Sequence, residues 1–134
     1  MNRSPRTITL AVMGLLVLVA ALGCRTPEPV LPSHTEANPG PWSDVKISMP
    51  MAVTDTGAKV TITVTGHPKG TGYVRKFELF DGSGTSIGHR VFAADREPAE
   101  TFLLDAETKK LTVEITSTSL GKWRSNQRKV PRKK

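Results

Sequence analysis

The chain has 134 residues and a formal net charge of +7, which is the length of one domain with a basic balance. It holds a single cysteine, so no disulfide can form within it. A phosphate-binding loop, a nucleophile elbow, a zinc-type cysteine pair and a His-Glu-x-x-His motif are all absent from the sequence. This argues against the enzyme classes that those motifs define.

The N-terminus has the order of features that is typical of a secretory signal. Arg3 and Arg6 precede an almost uninterrupted apolar run over residues 8–22, and small Gly23 follows just before Cys24. The run is shorter than the roughly 20 residues that a membrane-spanning helix needs. Residues 21–24, Ala-Leu-Gly-Cys, resemble the bacterial lipobox, with alanine and leucine exchanged relative to the commoner order.

The lipobox resemblance implies that residues 1–23 are a signal peptide and that Cys24 carries a diacylglycerol and usually a further acyl chain, such as palmitate. Two or more acyl chains anchor a protein stably to a bilayer, whereas one holds it only marginally. We therefore expect a membrane lipoprotein of the cell envelope. Arg25 stands where inner-membrane lipoproteins of enterobacteria have aspartate, which favours the periplasmic face of the outer membrane in a Gram-negative organism.

A Pro-rich segment follows the cysteine, and after it the pattern changes to alternating apolar and polar residues. Residues 24–41 include five prolines and few apolar side chains, which predicts an extended tether. Strands are predicted around residues 45–49, 60–64, 73–80, 87–92, 101–104 and 111–115. In the third of these, Val74 and Phe80 are expected on one face and Tyr73, Phe77 and Leu79 on the other. The pattern predicts an all-β, antiparallel sandwich over residues 42–123.

The last residues of the chain form a basic tail at positions 124–134. From Lys122 to Lys134 there are seven basic residues and no acidic one. Such a run is most often a solvated end, although it could contact anionic surfaces such as lipid headgroups. Nucleic acid is not expected as a partner of an exported protein.

Three histidines could in principle bind a metal. His34 lies in the predicted tether and His89 lies in the middle of a strand, where a solvated or packed side chain is the usual role. His67 directly follows a strand in the segment Gly66-His67-Pro68-Lys69-Gly70. Taken alone, a His-Pro pair in a turn is weak evidence of a site.

Residues 66–123 resemble the iron domain of the desulfoferrodoxin and superoxide reductase family. The matching segments are His67-Pro68, residues 73–79 (Tyr-Val-Arg-Lys-Phe-Glu-Leu), residues 98–102 (Pro-Ala-Glu-Thr-Phe) and residues 117–123 (Ser-Thr-Ser-Leu-Gly-Lys-Trp). The resemblance implies an immunoglobulin-like β-sandwich, with Trp123 in its core.

In that family four imidazoles and a cysteine thiolate hold ferrous iron, and the thiolate pushes electron density toward the bound substrate. The resemblance places His67 at one ligand position, but it places Gly72, Ser117 and Leu120 at three others. A serine hydroxyl is neutral and hard where a soft thiolate is needed. We therefore expect no cofactor and no catalytic residue, with iron bound by His67, His89 and carboxylates as the alternative.

Residues 67–72 and 91–95 also resemble the small sandwich subunit of the thiosulfate-oxidising sulfur-carrier complex, which is a binding partner without a metal of its own. The function that the sequence favours is a non-catalytic binding or scaffold module with an envelope protein as partner. The alternative is an iron-binding redox protein of the superoxide reductase family with an altered metal centre.

Overall fold

The computed structural model describes residues 32–133, and the chain there forms ten strands and one short 3₁₀ helix. The predicted signal peptide and Cys24 lie outside the described residues. Among residues 32–133 there is no helix with the length and apolar character needed to cross a bilayer. The strands are β1 (Ser33–Thr35), β2 (Lys46–Ser48), β3 (Met51–Thr54), β4 (Gly57–Thr65), β5 (Val74–Phe80), β6 (Ser86–Val91), β7 (Ala99–Asp105), β8 (Lys110–Ser117), β9 (Gly121–Arg124) and β10 (Arg128–Lys129), and the 3₁₀ helix is Gly40–Trp42.

The strands form two sheets that are antiparallel except for one short pair. The six-stranded sheet has the order β1-β9-β8-β5-β6, with β10 also pairing with β8, and only β1 and β9 run parallel. In the four-stranded sheet, β2 and β3 pair with successive parts of β4, and β7 also pairs with β4. The predicted fold class, an all-β immunoglobulin-like sandwich, is confirmed.

The core contains the apolar residues that alternate along the central strands. Val60, Ile62 and Val64 of β4 are buried, and so are Phe77 and Leu79 of β5. Within each strand these buried residues are two positions apart, because successive side chains point to opposite faces of the sheet. Each such side chain contributes about 1.5–3 kcal/mol when it leaves water.

A β-bulge in β5 corrects the predicted faces of that strand. Val74 is buried together with Phe77 and Leu79, whereas Phe80 is only partly buried. Strict alternation would put Val74 on the opposite face, but the pairing with β8 shifts register between Val74 and Lys76. The extra residue of a bulge reverses the alternation beyond it, which returns Val74 to the core.

The folded region begins earlier and ends later than the sequence indicates. Ser33–Thr35, within the segment expected as a tether, pairs with β9, and Arg128–Lys129, within the expected basic tail, pairs with β8. The carboxylate of Glu36 accepts hydrogen bonds at 3.0 Å from Arg128 to both of its oxygens. Val130 is buried, so the sandwich reaches beyond residue 123 at its C-terminal side.

Candidate functional site

The side chains of His67 and Ser117 meet at one end of the sandwich. His67 comes just after β4 and is half-buried, whereas Ser117 is the last residue of β8 and has no exposed surface. Nε2 of His67 lies 2.7 Å from Oγ of Ser117. The resemblance aligns both positions with iron ligands, and the fold does bring them together as a direct hydrogen-bonded pair.

The hydrogen bonds around Ser117 determine the direction of this contact. Its Oγ accepts the backbone N–H groups of Ser119 and Leu120, at 3.2 and 3.0 Å. With both lone pairs of the hydroxyl used, its proton is left to donate, and Nε2 of His67 at 2.7 Å is a nearer acceptor than Oγ of Ser119 at 3.4 Å. The other ring nitrogen, Nδ1, lies 3.0 Å from the carbonyl oxygen of Pro68, which can only accept. The hydrogen-bond partners therefore place a proton of His67 on Nδ1 and make Nε2 the acceptor.

Trp42 forms one wall of this end of the sandwich. It is buried, and its Nε1 donates a hydrogen bond of 3.1 Å to the carbonyl oxygen of Leu120. Its ring meets the imidazole of His67 edge-on, with 6.4 Å between centroids and planes at 76°. From the sequence, Trp42 was predicted only as the first residue of the sandwich. Nothing in its local pattern indicated a contact across 78 residues.

Gly72 lies in the same region, and a larger side chain does not fit there. A Cβ at this position would come within 2.6 Å of Oγ1 of Thr118 and 2.7 Å of Oγ of Ser119. Thr118 is itself held in place, because its Oγ1 accepts the backbone N–H of Tyr73 at 3.0 Å. The loop after β8 thus takes up the space into which a side chain at position 72 would project.

These residues do not fit the iron centre that the family resemblance implies. His67 supplies one imidazole, but Ser117 supplies only a neutral hydroxyl, Gly72 has no donor, and Leu120 has an apolar side chain. Across residues 32–133 there is no group of three or more His, Cys, Asp or Glu side chains placed to hold a metal ion. Both ring nitrogens of His67 already have hydrogen-bond partners.

The other two histidines lie elsewhere in the sandwich. His34 is in β1, where its ring is packed under Gly40. His89 is exposed on β6 and pairs in register with Glu78, whose neighbours along β5, Phe77 and Leu79, point into the core. His89 therefore lies on the outer face of the six-stranded sheet. A ligand set that combines His67 with His89 is not assembled in this structure.

Glu78 is the centre of a small polar cluster on that outer face. The hydroxyl of Ser86 donates a hydrogen bond of 2.8 Å to its carboxylate, and the ammonium of Lys76 lies 3.2 Å away. The hydrogen bond from Ser86 is the main reason why the pKa of Glu78 is held below its ordinary value, and partial burial opposes it. The positive charge of Lys76 lowers the pKa further.

The lowered pKa of Glu78 predicts a contribution to stability that is lost in acid. A carboxyl whose pKa is depressed on folding stabilises the fold at pH values above its unfolded pKa, and the effect disappears as the pH falls through the folded pKa. In Ser86→Ala we expect the unfolding free energy to fall at neutral pH and to approach that of the parent as the pH falls through the folded pKa of Glu78. Urea unfolding between about pH 3 and 7 measures this. The matched control is Ser48→Ala, an exposed serine of β2, which should leave the shape of the pH profile unchanged. A parallel offset at every pH in Ser86→Ala would refute the assignment.

The comparisons with known proteins give similarity in structure only. No protein-family model and no curated protein sequence matches the chain. The structure is similar to that of a superoxide reductase from Giardia intestinalis, with 21% identity, a TM-score of 0.47, and coverage of 61% of this chain and 95% of that one. It is also similar to the sulfur carrier protein SoxY from Chlorobium limicola f thiosulfatophilum, with 18% identity, a TM-score of 0.46, and coverage of 87% of this chain and 96% of that one.

Proposed function

We propose that the protein is a lipid-anchored envelope lipoprotein whose sandwich is a non-catalytic binding or scaffold module. The main support for a non-catalytic role is the closed hydrogen-bond network at the His67 end of the sandwich, where the imidazole and the Ser117 hydroxyl are hydrogen-bonded to each other. Opening this site to a ligand would leave the fully buried Ser117 hydroxyl without its acceptor. A buried polar group without a partner costs about 1–3 kcal/mol.

The anchoring part of the proposal rests on the sequence of the N-terminal region. The apolar run, Gly23 and Cys24 support lipid attachment, and the absence of aspartate after Cys24 supports the periplasmic face of an outer membrane. The partner in this proposal is another envelope protein. The similarity of residues 67–72 and 91–95 to a sulfur-carrier subunit supports a partner role over a catalytic one.

The metal content of the purified protein tests the proposal against an iron-binding redox protein with an altered centre. We expect the full chain, purified in a non-ionic detergent with ferrous iron supplied, to hold far less than one iron per chain. Elemental analysis and the visible spectrum measure this. His67→Ala should leave the iron content unchanged, as should His89→Ala, the matched control on the outer face. Stoichiometric iron that is lost in His67→Ala but kept in His89→Ala would overturn the non-catalytic role.

A further inference from the structure

Basic side chains from two distant parts of the sequence line one cleft at the C-terminal side of the sandwich. The cleft has a volume of about 590 Å³ and lies where β10 pairs with the first residues of β8. Its lining includes Gln127 and five basic residues, which are Lys109, Lys110, Arg128, Lys129 and Arg132. The sequence shows only the tail part of this cluster, since Lys109 ends the turn between β7 and β8 and Lys110 begins β8.

Of the five cations in the cleft, only Arg128 has a salt-bridge partner among residues 32–133. Lys110 and Lys129 are direct cross-strand neighbours, an arrangement of like charges that destabilises a sheet. Arg128 pairs with Glu36, but no carboxylate of residues 32–133 lies within salt-bridge distance of Lys109, Lys110, Lys129 or Arg132. Asp81, Asp105 and Glu107 line the adjoining groove beside Lys109 and Lys110. Oδ1 of Asp105, the last residue of β7, accepts hydrogen bonds from Glu107 and Thr108. An anionic ligand would relieve this repulsion.

The chemistry of the lining narrows the class of ligand. No aromatic side chain lines the cleft, so it lacks the stacking platform on which proteins bind nucleic-acid bases. Three of the five cations are lysines. A lysine ammonium is a flexible point charge, and it lacks the planar geometry with which arginine selects a single carboxylate or phosphate. Such a surface fits an extended segment with several negative charges, and side chains of an extended peptide recur on one side about every 6.7 Å.

The position of the cleft favours a protein partner over the membrane that would anchor the chain. The carbonyl oxygen of Pro32, at the start of the described chain, accepts the N–H of Lys122, which is paired with Thr116 near the end of β8. Lys110 is the first residue of β8, about 20 Å away at ~3.3 Å per residue. The cleft therefore lies at the opposite end of β8 from Pro32, the described residue that is nearest in sequence to Cys24.

We propose that this cleft binds an acidic, Asp/Glu-rich segment of a partner protein. The proposal rests on the binding role proposed above and names the chemistry of the partner, but it uses a different end of the sandwich from His67. Attraction between clustered opposite charges accelerates association and suppresses partners of the wrong charge. It also weakens as salt is added, because added ions screen exposed charges.

The test measures binding of a fluorescein-labelled polyglutamate peptide to the full chain in a non-ionic detergent. We expect fluorescence anisotropy to show saturable binding that weakens as salt rises. The double variant Lys110→Glu/Lys129→Glu should raise the Kd at least about tenfold, since it reverses two charges that face each other in the cleft. The matched control is Lys46→Glu/Lys59→Glu, which changes the net charge equally at exposed positions of the four-stranded sheet and should change the Kd less than about twofold.

Each of the other outcomes has a definite meaning. Equal loss of binding in the two double variants would show attraction to net charge alone and would overturn the cleft assignment, as would no binding at low salt. Displacement of the peptide by phosphatidylglycerol added to the micelle would assign the cleft to lipid headgroups and overturn the protein partner.

A second variant separates loss of binding from loss of folding. Lys110→Gln/Lys129→Gln should also bind the peptide weakly, and its thermal unfolding should match that of the parent. If the protein binds neither the peptide nor iron, the cleft assignment fails and the proposed non-catalytic role stands. If it binds the peptide and also holds stoichiometric iron, the non-catalytic role fails and the cleft assignment stands.

Discussion

In a Cys24→Ala variant, we expect attachment of lipid to be abolished and the N-terminal segment to stay uncleaved. The reason is chemical: the cysteine sulfur is the acceptor of the diacylglycerol in the lipobox resemblance, and alanine has no nucleophile to replace it. The chain has no second cysteine that could take over. Metabolic labelling with a clickable palmitate in a Gram-negative host, followed by the intact mass of the purified protein, measures both effects.

The control for this prediction is Ser33→Ala, an exposed substitution at the start of β1. It should incorporate the label as the parent does and should have the same processed N-terminus. Label that persists in Cys24→Ala, or cleavage at an unchanged position, would refute lipidation of Cys24. Release of the parent from membranes by salt alone would also count against it, because two acyl chains hold a protein through apolar contact that salt does not weaken.

The strands were predictable from sequence because their periodicity is local. Val60, Ile62 and Val64 alternate with threonines, and this alternation alone identifies the buried face of β4. The same holds for Leu111, Val113 and Ile115 in β8, all of which are buried. Since a sheet buries one face of each strand, the order of side chains along the chain carries this information without knowledge of the partner strand.

The features that sequence reasoning missed depend on contacts between distant residues. The bulge that moves Val74 into the core is a mismatch between β5 and β8, and neither strand shows it alone. The charged cleft needs Lys110 to pair with Lys129 through β10, a strand of only two residues with no periodicity to detect. At the candidate site, the family resemblance aligned His67 and Ser117 with ligands, but only the fold shows that they bond to each other.

In Ser117→Ala, we expect the unfolding free energy to fall by about 2–3 kcal/mol, which is large for the loss of a single oxygen atom. That oxygen bonds to His67 and to the backbone N–H groups of Ser119 and Leu120, and the residue has no exposed surface. Without it, Nε2 of His67 and the two amides lose their partner in a part-buried environment. Urea unfolding of the full chain in a non-ionic detergent measures the change.

A control and a coupling measurement distinguish this network from ordinary loss of packing. The exposed Ser119→Ala, whose hydroxyl is 3.4 Å from Oγ of Ser117, should change the free energy by less than about 0.5 kcal/mol. A double-mutant cycle with His67→Ala should give a coupling of about 1 kcal/mol, since the two side chains share one direct hydrogen bond. In the parent, ¹⁵N shifts should show the proton of neutral His67 on Nδ1. A coupling near zero, or the proton on Nε2, would mean that Ser117 does not donate to His67, and the main support for a closed site at this end of the sandwich would be lost.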